Sequence, residues 1–286
     1  MNPTAPTPEL PDKLRDLFEQ YVAAGRLELP FLPTTATQVL GACNDESCDA
    51  RELSELIQTD QSLAGHVLRI ANSAAYAPLE PIVSLQQATS RLGMQAICEI
   101  ALAVSMKGRV FKVPGYQTKV RAMWVHSAMA GCYAKEIARK IRHNVEGAFL
   151  CGLLHDVGKP VVMQGFLDIL KDMTTDKVPF PLLELAMDVF HERVGGILLE
   201  NWKLPDWVGE AVRHHHHYED ADDHPQEAMI AHLSDQLSHW AADEEAEGGE
   251  FDMRLPVLND LNIYREDLQL LLERREVVLE AVEPFL

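Results

Sequence analysis

Helical periodicity runs through almost the whole chain, and it excludes most folds before any motif is considered. Leu63, Val67, Ile70 and Ala71 recur at i, i+4, i+7 and i+8, the apolar stripe of one helix face. Asp49 and Glu52 have capping-box spacing ahead of Leu53, Leu56 and Ile57, and Ser84 and Gln87 repeat it ahead of Ala88 and Leu92. No alternation long enough for a strand occurs. The pattern predicts an all-α fold.

Breaks in the pattern divide the chain. Residues 1–26 form an N-terminal extension with a helix, of which the Pro/Thr-rich residues 1–8 are expected to be disordered. Residues 27–112 make an N-terminal helical lobe that ends at Lys112-Val113-Pro114-Gly115. A second lobe, 113–242, is predicted to hold helices near 118–142, 146–157, 181–203, 205–217 and 226–242. Residues 243–286 comprise an acidic linker (Asp243 to Glu250) and one last helix over about 265–281. The expectation is a two-lobed helical bundle.

The 286 residues carry 25 basic and 44 acidic side chains, a formal charge of −19. Such a surface repels a phosphate backbone, which excludes non-specific nucleic-acid binding. A small nucleotide held through a metal remains compatible, because the ion supplies the local positive charge. The five cysteines lack C-x-x-C spacing, and Cys98, Cys132 and Cys151 sit in apolar runs as small buried groups. No disulfide is expected. MNPTAPTPEL has neither a basic nor an apolar leader region, and no apolar run approaches the ~20 residues that cross a bilayer. A cytoplasmic location is expected.

Within the second lobe, polar residues stand where periodicity places core. His126 shares a stripe with Met129, Tyr133 and Ile137; His191 with Met187, Val194, Leu198 and Trp202; His215 with Val208, Ala211 and Val212. Asp235 faces away from the Ile230–Leu233–Leu237 stripe, towards Ala228, Ala231 and Ala242. A lone histidine on an apolar stripe is ordinarily a satisfied core group. His216, His217, His224, His232 and His239 read as solvent-facing, and Lys159 as a helix-end charge. The adjacent pair His155-Asp156 changes the weighting. Imidazole nitrogen beside carboxylate oxygen suits a first-row divalent cation, and such a cation can activate water against a phosphoester.

The order His126 … His155-Asp156 … Asp235 resembles the H…HD…D pattern of the HD superfamily of metal-dependent phosphohydrolases. His191, the pair His214-His215 and Lys159 are similar to the extended ligand set of its HD-GYP branch, which cleaves cyclic dinucleotides. That resemblance implies one or two divalent ions (Fe, Mn or Zn) on His126, His155, Asp156, His191, His214, His215 and Asp235. It implies a metal-bridging Asp156 and a Lys159 that contacts substrate phosphate. The Gly-Tyr-Pro that names the branch is absent; the chain continues His216-His217-Tyr218-Glu219-Asp220.

Several N-terminal segments resemble the HDOD family instead. They are Leu29-Pro30-Phe31-Leu32-Pro33, Thr59-Asp60-Gln61-Ser62-Leu63, Leu68 to Ser73 with Tyr76, and Ser84-Leu85 with Ala88 and Arg91-Leu92-Gly93. With Trp202-x-Leu204-Pro205, the resemblance covers roughly residues 27–240. HDOD proteins are all-α bacterial signalling modules with an HD-like C-terminal lobe, so the resemblance implies a regulator acting through a signalling partner. The rival reading is a metal-dependent phosphohydrolase acting on a nucleotide or cyclic dinucleotide, with Asp156 and Lys159 in catalytic roles. Asp60 is expected to cap its helix, and Asn72 either to cap carbonyls or to adopt the left-handed conformation. Sequence leaves the oligomeric state open.

Overall fold

The computed structural model describes residues 9–43, 45, 47–73, 76, 80–107, 113–171, 178–242 and 251–285. The Pro/Thr-rich start, Lys112 of the expected lobe boundary and the acidic segment 243–250 lie outside these residues. Among the described residues every regular element is helical. They are α1 (Asp12–Ala23), α2 (Thr34–Cys43), α3 (Ala50–Gln58), α4 (Gln61–Ala71), α5 (Leu85–Leu92) and α6 (Met94–Lys107). The long α7 (Gln117–Ile141) is followed by α8 (Val145–Leu154), α9 (Gly158–Leu170), α10 (Phe180–Asn201), α11 (Asp206–His214) and α12 (Pro225–Ala242). Three short helices follow: α13 (Pro256–Asp260), α14 (Arg265–Glu273) and α15 (Arg275–Val282). No helix among the described residues is long and apolar enough to cross a membrane.

The caps read from sequence are formed. Asp49 accepts from the backbone N–H of Arg51 and Glu52, while Glu52 accepts from Asp49 N at 3.2 Å, which completes a capping box. Ser84 accepts from Gln87 N, but Gln87 reaches one residue further back, to Val83 N at 3.0 Å. Asp60 caps α4 through Leu63 N. Asn72 bonds carbonyls and is not left-handed (φ −95°). Its Nδ2 donates to Leu68 O and Ile82 O, and its Oδ1 accepts from Ile82 N at 2.7 Å, so it also ties α4 to the strand of chain that enters α5. Trp202 Nε1 donates to Pro30 O at 2.8 Å, joining two motif segments 172 residues apart.

Three expectations need correction. The helix placed at 146–157 ends at Leu154, and a helix not anticipated, α9, starts after only three intervening residues. The single helix at 265–281 is two, broken at Arg274. Cys43 and Cys98 form a disulfide with Cα atoms 6.2 Å apart, which joins α2 to α6. Cys132 and Cys151 are free buried thiols, as expected, and burial pushes the Cys132 thiol up to about 12.

Two large apolar cores form among the described residues, beside a small cluster of Cys151, Ala211 and Ala231. The first joins α2–α6 to α7, α8, α12 and the C-terminal helices; the second joins Phe18 of α1 to α9, α10 and α11. Helix α8 belongs to both, with Leu153 in one and Leu150 and Leu154 in the other, so it is apolar all round. Glycines let helices approach closely at its end. A Cβ on Gly152 would sit 2.5 Å from Ala130 O of α7, and one on Gly158 would run into the His191 carbonyl and lie 2.7 Å from Gly195 N of α10.

Gly158→Ala should therefore drive α9 from α10 and destabilise the protein by about 1–3 kcal/mol or more, as overpacking of a tight contact does. Gly115→Ala, at a glycine with open space around it, serves as a comparison for backbone strain alone (φ +85°). Urea unfolding of both variants measures the difference; equal, small losses would show that the α9–α10 contact is not limiting.

Candidate metal centre

His155 and Asp156 occupy the three-residue turn His155–Val157 between α8 and α9, in the seam between the two cores. Both are buried, at 0% and 1% exposure. His126 comes from the middle of α7, His191 from α10, His215 from just past the end of α11, and Asp235 from the middle of α12. His191, His215 and Asp235 are at most 3% exposed. Asp235 is buried because α12 packs against α7 and α8 as well as α11.

Ligand-type atoms gather in two groups. In the first, His126 Nε2 lies 2.9 Å from Asp235 Oδ1 and 3.3 Å from His155 Nε2, and His155 Nε2 lies 3.4 Å from Asp235 Oδ1. In the second, His191 Nε2 is 3.2 Å from His215 Nε2, with His216 completing the set. Asp156 stands between them. Its Oδ2 is 3.3 Å from His155 Nε2 and 3.7 Å from His126 Nε2; its Oδ1 is 3.5 Å from His191 Nε2 and 3.9 Å from His215 Nε2. Lys159 Nζ, from the second residue of α9, bonds Asp156 Oδ2 at 2.5 Å.

Backbone carbonyls fix the imidazoles. Nδ1 of His155 donates to Gly152 O, that of His191 to Met187 O and that of His215 to Val212 O, at 2.7, 2.7 and 2.9 Å. Each ring therefore turns Nε2 towards the centre, as metal-binding histidines do. Two nitrogen lone pairs 3.2 Å apart repel unless a proton or a cation lies between them. Asp156 Oδ1 is buried without a hydrogen-bond partner. An orphaned carboxylate oxygen facing convergent imidazole nitrogens fits a divalent first-row cation.

The electrostatics differ between the groups. Burial alone would lower His155, but Asp156 and Asp235 outweigh it and hold the imidazole up at about 10. Burial brings His191 down to about 4 and His215 well below its ordinary value, so these two are neutral at pH 7. Asp156 and Asp235 resist their own burial because the histidines, and for Asp156 also Lys159, hold them well below the usual carboxylate range.

Of the residues singled out from sequence, His126, His155, Asp156, His191, His215 and Asp235 converge. His214 belongs to neither group, and half-buried at the last position of α11 it suits the negative helix end. His216, read as solvent-facing, is exposed, and a ring nitrogen of it also stands in the second group. His239 is exposed, but it stacks on His126 with ring centroids 4.4 Å apart and has Nε2 3.4 Å from Asp235 Oδ1. His232 is half-buried and donates to His215 O at 2.7 Å. Both adjoin the site through α12, whose polar face gave no sequence signal of burial.

In chelator-treated protein the two shifted histidines should give opposite pH slopes. His191 takes up a proton on unfolding between pH ~6.5 and about 4, so its contribution weakens stability as pH falls through that window. His155 holds a proton in the folded state that the unfolded chain releases above ~6.5, so its contribution is lost as pH rises towards about 10. Together they place a stability maximum near pH ~6.5. Denaturant unfolding across pH 4.5–9 in ~1 mM chelator tests this; a monotonic profile would show the two shifts do not dominate.

A protein-family model described as the HDOD domain matches residues 29–218. A provisionally named metal-dependent phosphohydrolase from Shewanella amazonensis SB2B superposes with a TM-score of 0.77 at 20% identity, covering 96% of this chain and 100% of that one. An HDOD domain protein of unknown function from Geobacter sulfurreducens gives 0.69 at 22% identity, covering 96% and 100%. A provisionally named signal transduction protein from Marinobacter aquaeolei VT8 gives 0.68 at 23%, covering 96% of this chain and 65% of that one. At these identities the likeness is one of fold. An uncharacterised protein of Treponema pallidum (strain Nichols) is 24% identical over 196 residues, which is 66% of this chain but 38% of that relative's length. With the family model spanning most of the chain and the helical architecture shared, the chain belongs to the HDOD domain family.

Proposed function

We propose that the protein is a cytoplasmic signal-transduction regulator that acts through a protein partner and holds one or two divalent ions (Fe, Mn or Zn) as part of its structure. The observation that carries this reading is the pairing of Lys159 with Asp156 Oδ2 at 2.5 Å. A phosphoryl-transfer site needs a cation turned towards substrate to neutralise developing charge. Here the lysine beside the centre is spent on a ligand carboxylate and is only 18% exposed. The chain beyond His216 adds Glu219, Asp220, Asp222 and Asp223, all exposed, which repel a phosphate ligand. The HDOD family and the signal-transduction name of one structural neighbour support the same reading.

A bound ion would supply Lewis-acid chemistry and a water activated near neutral pH. The residues do the remainder. His155, His191 and His215 present fixed Nε2 atoms, Asp156 offers one oxygen to each ligand group, and Asp235 serves the first. Those ligands come from α7, the α8–α9 turn, α10, the end of α11 and α12, so an ion would fasten five places in the fold to one point.

A second reading, metal-dependent hydrolysis of a nucleotide or cyclic dinucleotide, is favoured by Asp156, whose two oxygens face two ligand groups. The phosphohydrolase name of a structural neighbour belongs to this reading too. The two are separable. Tag-free protein should retain a divalent metal by elemental analysis, and hydrolysis of a bis-aryl phosphate and of cyclic dinucleotides should not exceed that of chelated protein. Metal-dependent turnover that disappears in Asp156→Asn and in Lys159→Ala would replace the regulatory reading with the hydrolytic one. At a free-metal concentration about 100 times Kd, the folded state should gain ~2.7 kcal/mol, readable as a rise of about 5 °C or more in Tm. No rise with Mn, Fe or Zn would remove the metal from either reading.

A further inference from the structure

The two ligand groups are not equally anchored. In the first, His126 and Asp235 lie inside long helices, and His155 is locked into a turn by its bond to Gly152 O. In the second, His191 is inside α10, but His215 and His216 follow the last residue of α11. Past a helix end the backbone has no ladder of its own to fix it. The His215 ring keeps its bond to Val212 O, but that bond sets neither the His216 ring nor the peptide that joins the two residues, and these need a further hold.

Two side chains outside both ligand groups grip that segment. Glu192 Oε1 accepts from His216 N at 3.1 Å and lies 3.8 Å from His215 Nδ1. His232 Nδ1 donates to His215 O at 2.7 Å. The His216 N–H and the His215 C=O are the two polar groups of a single peptide unit. A trans peptide is planar and points them in opposite directions, and no cis bond occurs among the described residues. The unit is thus held from one edge by α10 and from the other by α12. Fixing that plane sets the ψ of His215 and the φ of His216, and with them the starting direction of both ligand side chains.

The surroundings reinforce the grip. Glu192 directly follows His191, so one turn of α10 presents a ligand and the clamp for its two companions. His232 packs its ring on Tyr218 at 5.3 Å, and Tyr218 Oη donates to Asp260 Oδ2 at 2.8 Å, which ties the short turn Tyr218–Asp220 to the end of α13. Two hydrogen-bonding side chains committed to one peptide of a half-exposed turn exceed what the turn needs, since water would satisfy the exposed side.

We infer that Glu192 and His232 are positioning residues for the second ligand group, aligning His215 and His216 with His191 so that a second divalent ion can bind there. This rests on the reading that the site holds metal, and it goes beyond that reading in making the second position depend on two groups that never touch the ion. Glu192 acts here by accepting a hydrogen bond, so an amide oxygen can replace it, whereas a methyl group cannot.

The full-length protein, stripped with chelator, is titrated with Co2+ alone. Stoichiometry is read by calorimetry and elemental analysis, and ligation by the visible Co2+ absorption. The native protein binds two ions. Glu192→Ala and His232→Phe keep the first ion at native affinity and weaken the second about 10–100-fold, as loss of an outer hydrogen-bond partner does. In these variants the absorption that develops with the second equivalent is lost. Glu192→Gln restores it. The Tm of the stripped variants stays close to native, which a general loss of structure would not allow. If Glu192→Ala does not fold, His232→Phe and Glu192→Gln carry the comparison. Native second-ion affinity in Glu192→Ala or in His232→Phe overturns the inference, as does a native protein that binds one ion at the first group only. A native protein that binds no Co2+ overturns the metal reading itself.

Discussion

A carboxylate at 1% exposure in the seam between two apolar cores is the constraint around which the rest of this structure is arranged. Isolated, such a charge would protonate or unfold its surroundings, because an ionised carboxylate in an apolar medium is strongly disfavoured. Asp156 stays ionised because His155, its chain neighbour, and Lys159, three residues on at the start of α9, stand beside it. The neighbours have constraints of their own. Lys159 can reach back only if α9 starts at Gly158, and α9 can start there only if that position has no side chain to meet the His191 carbonyl. Gly152 plays the matching part against α7, and its carbonyl orients His155. The motif Gly152-x-x-His155-Asp156-x-Gly158-Lys159 is thus one mechanical unit: glycines admit the neighbouring backbones, and charges occupy the junction they create.

Much of this was legible in the sequence, for identifiable reasons. His126 and His191 betray themselves as polar groups in the apolar stripes of their helices, and His215 as one at the foot of the α11 stripe, whereas Asp235, turned away from the stripe of α12, was legible only through the H…HD…D order. The caps at Asp49, Asp60 and Ser84 were legible because capping is local chemistry over three residues. His216, Glu192 and His232 were not. His216 lies past a helix end, where no period assigns a direction. Glu192 and His232 are half-buried, and their importance comes from a partner on another helix.

Helix α9 carries Gly158 and Pro160, two residues that disfavour a helix interior. Both fall in its first turn, where a missing N–H leaves no helix bond unmade. The Cys43–Cys98 bond escaped for a different reason. Its sulfurs are brought together by the packing of α2 on α6 across 55 residues, and no spacing rule anticipates such a pair.

The same geometry relates the metal question to the regulatory one. The first ligand group draws on α7 and α12, whose apolar faces belong to the first core; the second draws on α10 and α11, which belong to the second core. Asp156 joins them, on a turn that follows α8, a helix with buried residues in both cores. Any change in charge or occupancy at the junction therefore acts on the packing of one core against the other and not on a single loop. Close-packed cores respond to such a change by shifting between discrete arrangements rather than by deforming smoothly. A two-ion hydrolytic centre can draw on as many elements, so the spread of ligands alone does not choose between the two readings. On the regulatory reading proposed above, the junction is a place where one small event is felt by four helices and the α8–α9 turn. The pairing of Lys159 with Asp156, instead of with an incoming anion, accords with that proposal, because it balances the buried carboxylate at the junction without any bound ligand.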